Sequence, residues 1–252
     1  MPTVKFTTHA TRTIAALALA CACHGASARI EQGACLPYSY AGHGFSPKDY
    51  SKSTVKEIDI VERYHFTPQV EALQRGNTTA DPIGDVTYTL ARFPNHYRAL
   101  LAASRYARRP GKKSMEGHLE RLQSPDCYFW RAFQMFPSDA KLFAAYGVHL
   151  ASNGRHKEAA EAFEDALKLN ENMLDARYNL GLARLKLGNK EEARRHAEIV
   201  YGRGYPLPGL RRQLKAAGIE ITPRAPGTSP AAPSAAADPA PQGAEPAPAT
   251  TP

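Results

Sequence analysis

Residues 175–198 read DARYNLGLARLKLGNKEEARRHAE, and residues 141–165 read KLFAAYGVHLASNGRHKEAAEAFED. Offset by 34 positions, the two stretches align Gly147 with Gly181, Gly154 with Gly188, Glu158 with Glu192 and Ala159 with Ala193. Each stretch reads as a helix, a tight turn and a second helix. The turns are Asn153-Gly154 and Gly188-Asn189, and glycine there tolerates the left-handed backbone that closes a helix. A fixed period of this size marks a supersecondary unit that buries its apolar face by stacking on copies of itself. The predicted fold class is therefore all-α, a helix-turn-helix solenoid.

In length and in residue pattern the unit resembles the tetratricopeptide repeat (TPR) family. The resemblance puts Gly147 and Gly181 where the first helix closely approaches the second, with Ala159 and Ala193 across the gap and Tyr146 and Leu180 beside it. Phe163 and Ala166 fall on the inward face of one second helix, Ala197 and Val200 on that of the next. Two large apolar positions change between units: Phe143 becomes Arg177 and Leu150 becomes Arg184. The family's terminal Pro is Glu171 and then Tyr205. The resemblance also implies a concave groove, lined by the first helix of each unit, that accepts a peptide or a partner helix. On this chain the implied groove positions are Arg98, Leu101 and Arg105, then Lys141, Ala144 and Val148, then Asp175, Tyr178, Asn179 and Leu182, with Arg109 and Lys186 on or beside it. Asn179 stands where many peptide-binding members hold a ligand's backbone.

Working outward, FPSDAKLFAAY at 136–146 is echoed 43 residues earlier by FPNHYRALLAA at 93–103. Ala99, Leu100, Ala103 and Tyr106 make an apolar stripe at helical spacing there, and the polar insertion RRPGKKSME accounts for the longer period. The second helix of this copy is predicted over 126–136, with Phe129, Ala132 and Phe133 inward. Downstream, PLPGLRRQLKAAG sets Leu210 and Leu214 one turn apart before Gly218, the pattern of a helix that caps a stack. About three repeats and a capping helix thus occupy 95–222.

Both ends differ in kind. Residues 1–28 carry Lys5 and Arg12, no acidic residue, the apolar run IAALALACAC and Ala26-Ser27-Ala28, which together read as a secretory signal. The run is too short to span a membrane as a helix. The alternative is a lipid anchor at Cys21, for which Ala18 stands in place of the usual Leu. Residues 223–252 hold nine of the 20 prolines and no large apolar side chain, so they read as a disordered spacer. Cleavage after Ala28 leaves Cys35 and Cys127 of the four cysteines. In an oxidising compartment two such thiols are expected to pair, the alternative being that Cys127 is a small buried apolar residue.

Residues 29–94 are harder to read. STVKEIDIVERYHF follows neither helical nor alternating spacing and reads as irregular or weakly extended. Thr67-Pro68 opens a short helix to Gly76, and 85–93 reads as another that packs against the first repeat. Tyr38, Tyr40, Phe45, Tyr50, Tyr64 and Phe66 either cover the open end of the stack or form a binding surface.

No catalytic pattern emerges: H-E-x-x-H, G-x-S-x-G and a phosphate-binding Gly-rich loop are all missing. CACH at 21–24 has one residue between its cysteines where haem attachment needs two. His149 and His156 are separated by a turn and read as solvated surface residues, and no metal or cofactor is expected. His43, His65 and His96 lie in the segment that resists reading.

Net charge is +8, of which the signal contributes +2 and the tail −1, leaving about +7 for the rest. Such a surface points to nucleic acid, an anionic membrane or an acidic partner. Export sets nucleic acid aside, and no interleaving of aromatics with the basic runs suggests base stacking. The chain is therefore expected to be an exported interaction scaffold of the cell envelope, not an enzyme. Its partner would be a protein or peptide, acidic if Arg98, Arg105, Lys141, Tyr178, Asn179 and Lys186 bind it, or an anionic envelope glycan. The alternative is an envelope enzyme or glycan-binding accessory with its site in the N-terminal segment; equally, the charges are solvated faces.

Overall fold

The computed structural model describes Cys35, residues 46–110 and residues 124–222, and every regular element among them is a helix. The signal with Cys21, the tail, Tyr38, Tyr40, His43, Phe45 and most of the polar insertion lie outside the described residues. Three helices come first: α1 (Val55–His65), α2 (Pro68–Glu71) and α3 (Pro82–Arg92). Three helix pairs follow: α4 (Tyr97–Ala107) with α5 (Pro125–Met135), α6 (Ala140–Ser152) with α7 (His156–Leu169), and α8 (Leu174–Lys186) with α9 (Lys190–Gly202). Helix α10 (Gly209–Ala216) closes the stack, burying Leu210 and Leu214.

The 34-residue period is visible in the backbone. Gly154 and Gly188 take φ of 77° and 82°. The next residue's N–H then reaches back to a carbonyl of the preceding helix, Arg155 to Leu150 at 3.0 Å and Asn189 to Arg184 at 2.9 Å. These are the bonds that satisfy a helix's last carbonyls.

Longer side chains stand nearer to the interior glycines than the expected alanines do. A Cβ on Gly147 would stand 2.6 Å from the Phe163 ring, whereas one on Gly181 would stand 2.6 Å from Leu210 Cδ2, 3.3 Å from His196 Cβ and 3.6 Å from the Ala193 carbonyl oxygen. Ala159 and Ala193 are fully buried nearby, but the space is filled by longer side chains. In the third repeat the residue equivalent to Phe163 is Ala197, and Leu210 from the capping helix occupies the room it leaves. The core divides accordingly. One cluster runs from Val70 through Phe129, Tyr146 and Phe163 to Leu180, and a smaller one joins Tyr178, Ala193, Ala197, Val200, Tyr201, Leu210 and Leu214.

The N-terminal segment is more helical than its sequence suggested. Thr54 and Glu57 form a reciprocal capping box that starts α1, outweighing an unfavourable apolar pattern that leaves Val55 and Ile60 exposed. The inward face carries Val61 together with Glu62, which accepts from Tyr50 Oη at 2.9 Å. Helix α2 stops at Glu71 rather than Gly76, because Leu73 turns the chain with φ of 58° and buries its side chain. The buried Asp85 of α3 then gathers the loop, accepting from the backbone N–H groups of Asn77, Thr78 and Thr79. Burial pushes its carboxyl up, but these bonds and those from Thr78 and His65 outweigh it and hold the group at about 2. Tyr50 and Phe66 pack on His96 and cover this end of the stack, while Tyr64 stays exposed. Cys35 lies against α5 with its sulfur 2.06 Å from that of Cys127 and the Cα atoms 5.3 Å apart.

Candidate functional site

The first helices of the three repeats, α4, α6 and α8, together line a cleft of about 620 Å³. Tyr97, Leu101, Ala144, Ala145, Val148, Met173 and Leu174 make it largely apolar, Asn170, Asn172 and Asn179 add amides, and Lys141 and Asp175 are its charged residues. A second hollow of about 250 Å³ continues from Val148 and Asn179 to Leu182, Lys186 and Gln213 of the capping helix. The groove is therefore one strip that crosses three repeats.

Of the groove residues read from sequence, Leu101, Lys141, Ala144, Val148, Asp175, Asn179, Leu182 and Lys186 line it. Asn179 donates its amide N–H to the Asp175 carbonyl at 2.8 Å, which leaves its oxygen as an acceptor. Lys141 is exposed, with Nζ 5.6 Å above the Tyr97 ring.

Three arginines and a tyrosine do not fit the basic groove that was expected. Arg98 pairs with Glu71 through two nitrogens and with Glu62 at 3.2 Å, and it covers the Phe66 ring. Arg105 donates to the Glu71 carbonyl at 2.8 Å, and Arg109 to that of Leu73 at 2.6 Å. These cations hold the N-terminal segment onto α4, so the cleft they were meant to charge is nearly neutral. Tyr178 is buried in the smaller core against Tyr205, 4.9 Å between ring centres. The sequence reading lacks Tyr97 at the start of α4, Ala145 within α6, Asn170, Asn172 and Met173 of the α7–α8 turn and Leu174 at the start of α8.

His149 is another correction: it is buried, not solvated. Its Nδ1 is 2.7 Å from Ser104 Oγ and its Nε2 is 3.4 Å from Asp126, so α4, α5 and α6 meet on one ring. The residue types are those of a hydrolytic triad, but Ser104 is buried and accepts from Arg108 at 2.6 Å, which makes the group a tie between helices. His65 and His96 are likewise engaged, with Asp85 at 2.9 Å and Glu62 at 3.1 Å. The bond from His96 is the main reason the Glu62 carboxyl is held down to about 2. Among the described residues no three potential metal ligands come together, and no helix is long and apolar enough to cross a membrane.

A family model of the tetratricopeptide repeat matches residues 129–173 and 145–206, a stretch that holds α6 and α8 of the groove but not α4. Residues 129–206 are tetratricopeptide repeats. The TPR stack is also similar to peroxisomal targeting signal receptors: that of Candida albicans is 39% identical over 71 residues, 28% of this chain and 12% of the receptor. Those of Candida glabrata, 35% over 71 residues, and Saccharomyces cerevisiae, 35% over 68, match to a similar extent. This chain thus spans about an eighth of the length of these relatives, 12%, 12% and 11%. Repeats of this kind suggest a scaffold for protein-protein interaction.

Proposed function

We propose that this TPR stack is an exported binding scaffold whose cleft takes an extended segment of a partner protein. The observation that carries this reading is the cleft itself, where three first helices converge on an apolar floor edged with amides. Apolar groups with amides among them suit a peptide, whose side chains need burial while its backbone needs hydrogen-bond partners. The relatives' name, targeting signal receptor, supports recognition of a segment of another protein, although their compartment is not carried over. The single cation of the main cleft, Lys141, suits one acidic group on the ligand, far less than the strongly acidic partner that Arg98 and Arg105 would have required. Export rests on the signal sequence and on the Cys35–Cys127 pairing, which belongs to an oxidising compartment.

A photo-crosslinking residue at Val148, on the cleft floor, tests the binding reading against the same residue at Gln134, exposed on α5. Partner crosslinks are expected from Val148 alone, and they should vanish in Ala144→Trp at unchanged thermal midpoint. Equal crosslinking from both positions would refute the cleft. Export is checked by N-terminal sequencing: a start at Arg29 supports it, whereas a lipid-modified Cys21 replaces the soluble form with an anchored one.

A further inference from the structure

The third repeat departs from the second at three positions that meet in space. Phe143, Leu150 and Ala162, all buried, correspond one period later to Arg177, Arg184 and His196. His196 of α9 lies across Gly181 of α8, within contact of the point where a Cβ would stand, so Arg177 and Arg184 flank it one turn to either side. Three apolar contacts have become a cluster of three nitrogen bases between two helices.

Only part of this cluster is neutralised. Arg184 has carboxylates on both sides, Glu164 of α7 and Glu192 of α9, the latter 2.9 Å away. Arg177 has none: it donates to the Glu171 carbonyl at 3.0 Å, and its Nε is buried without a partner. Arg203, just past α9, reaches the same α7–α8 turn and donates to Asn172 Oδ1 at 3.0 Å. Among the described residues neither guanidinium makes an ion pair, and His196 Nδ1 is buried without a partner. The exposed Glu171 carboxylate acts on Arg177 only at a distance.

We propose that Arg177 and Arg203, converging on the α7–α8 turn, form an oxyanion site that takes a phosphate-sized ligand, with His196 sensing it through Arg177. Two cations drawn to one turn repel each other, and the partial burial of one amplifies that repulsion. An oxyanion between them accepts from both guanidinium forks and removes the conflict. Electrostatics agree with the geometry. Burial and then Arg203 press the Arg177 guanidinium below its usual value, and burial with Arg177, Arg184 and Arg195 presses His196 down to about 4. The oxyanion arrives either as free phosphate or as the carboxylate of an acidic residue on a partner. Asn172, which Arg203 holds, is also part of the cleft edge, so a segment lying in the cleft could present one there.

The test uses the mature chain, titrated with inorganic phosphate, sodium acetate or sodium chloride at one ionic strength. Thermal midpoint and the NMR titration of the His196 ring are the readouts. Phosphate, but not chloride, is expected to raise the midpoint by several degrees and the His196 pKa by roughly one unit. Both responses should be lost in Arg203→Ala, whose guanidinium is exposed and dispensable for folding. Acetate reproducing the effect would assign the site to carboxylates of a partner, and phosphate acting alone would assign it to free phosphate. Equal responses to phosphate and chloride, or an undiminished response in Arg203→Ala, would reduce the cluster to general screening and overturn the proposal.

Discussion

A side chain at position 181 has nowhere to go, because Leu210 Cδ2 would lie 2.6 Å from its first carbon. Gly181→Leu is therefore expected to destabilise the stack by at least about 1–3 kcal/mol, the range for an overpacked core. Unchanged denaturant unfolding would contradict the packing of α8 against α10. The glycine's importance was legible in the sequence, from its spacing to Gly147, but its partner was not. Spacing reports which positions recur; the loss of Phe163's ring at Ala197 lets a residue from another helix fill the gap, and no period records that. His196 gives a second prediction. Its folded pKa of about 4 lies below the ordinary 6.5, so the unfolded chain binds the proton first as pH falls. The stabilisation is complete above pH 6.5 and is lost progressively from there down to about 4, up to about 3 kcal/mol in all. His196→Ala, which restores the second repeat's residue, should flatten stability against pH across that window, read as the difference between urea midpoints of the two proteins. Identical slopes would mean that the ring titrates normally.

At the scale of elements, α1 starts on the Thr54–Glu57 capping box, whereas Val55, Ile58, Ile60 and Val61 suggest no single face, so the segment reads as irregular from its sequence. The helix forms because its inward side is partly polar: Glu62 is satisfied by Tyr50, 12 positions away, and by His96, 34 positions away. Long-range partners of this kind are invisible to local periodicity. The same holds for Arg98 and Arg105, expected on the groove face of α4, whose carboxylate and carbonyl partners come from α1 and α2. Arg98→Ala should release α2, with faster amide exchange over 67–75 and a loss of about 1 kcal/mol, modest because the side chain is about a third exposed. Binding in the cleft should survive it. Loss of partner binding in Arg98→Ala, with α2 still protected, would return that arginine to the groove.

Over the whole molecule, the repeats and the cap were legible because a solenoid writes its contacts into neighbouring sequence; the Cys35–Cys127 link joins positions 92 apart and was legible instead from the count of cysteines left after the expected cleavage. Mass analysis of the mature chain should find no free thiol, and replacing both cysteines with serine should cost about 2–4 kcal/mol. Two alkylatable cysteines would exclude the bond in solution. Removing 223–252 should leave the melting curve unchanged, since that stretch has no large apolar side chain to give to a core. The link and the divided core also give the molecule a mechanical polarity. If the two chain ends were drawn apart by force, the small cluster under α10 would peel first, and tension would then travel up the stack until it met the sulfur bridge. Beyond that point the enclosed segment would be shielded from the load. Adding a reductant should lengthen the fully extended chain by about 30 nm, the span of 92 residues at roughly 3.3–3.6 Å each.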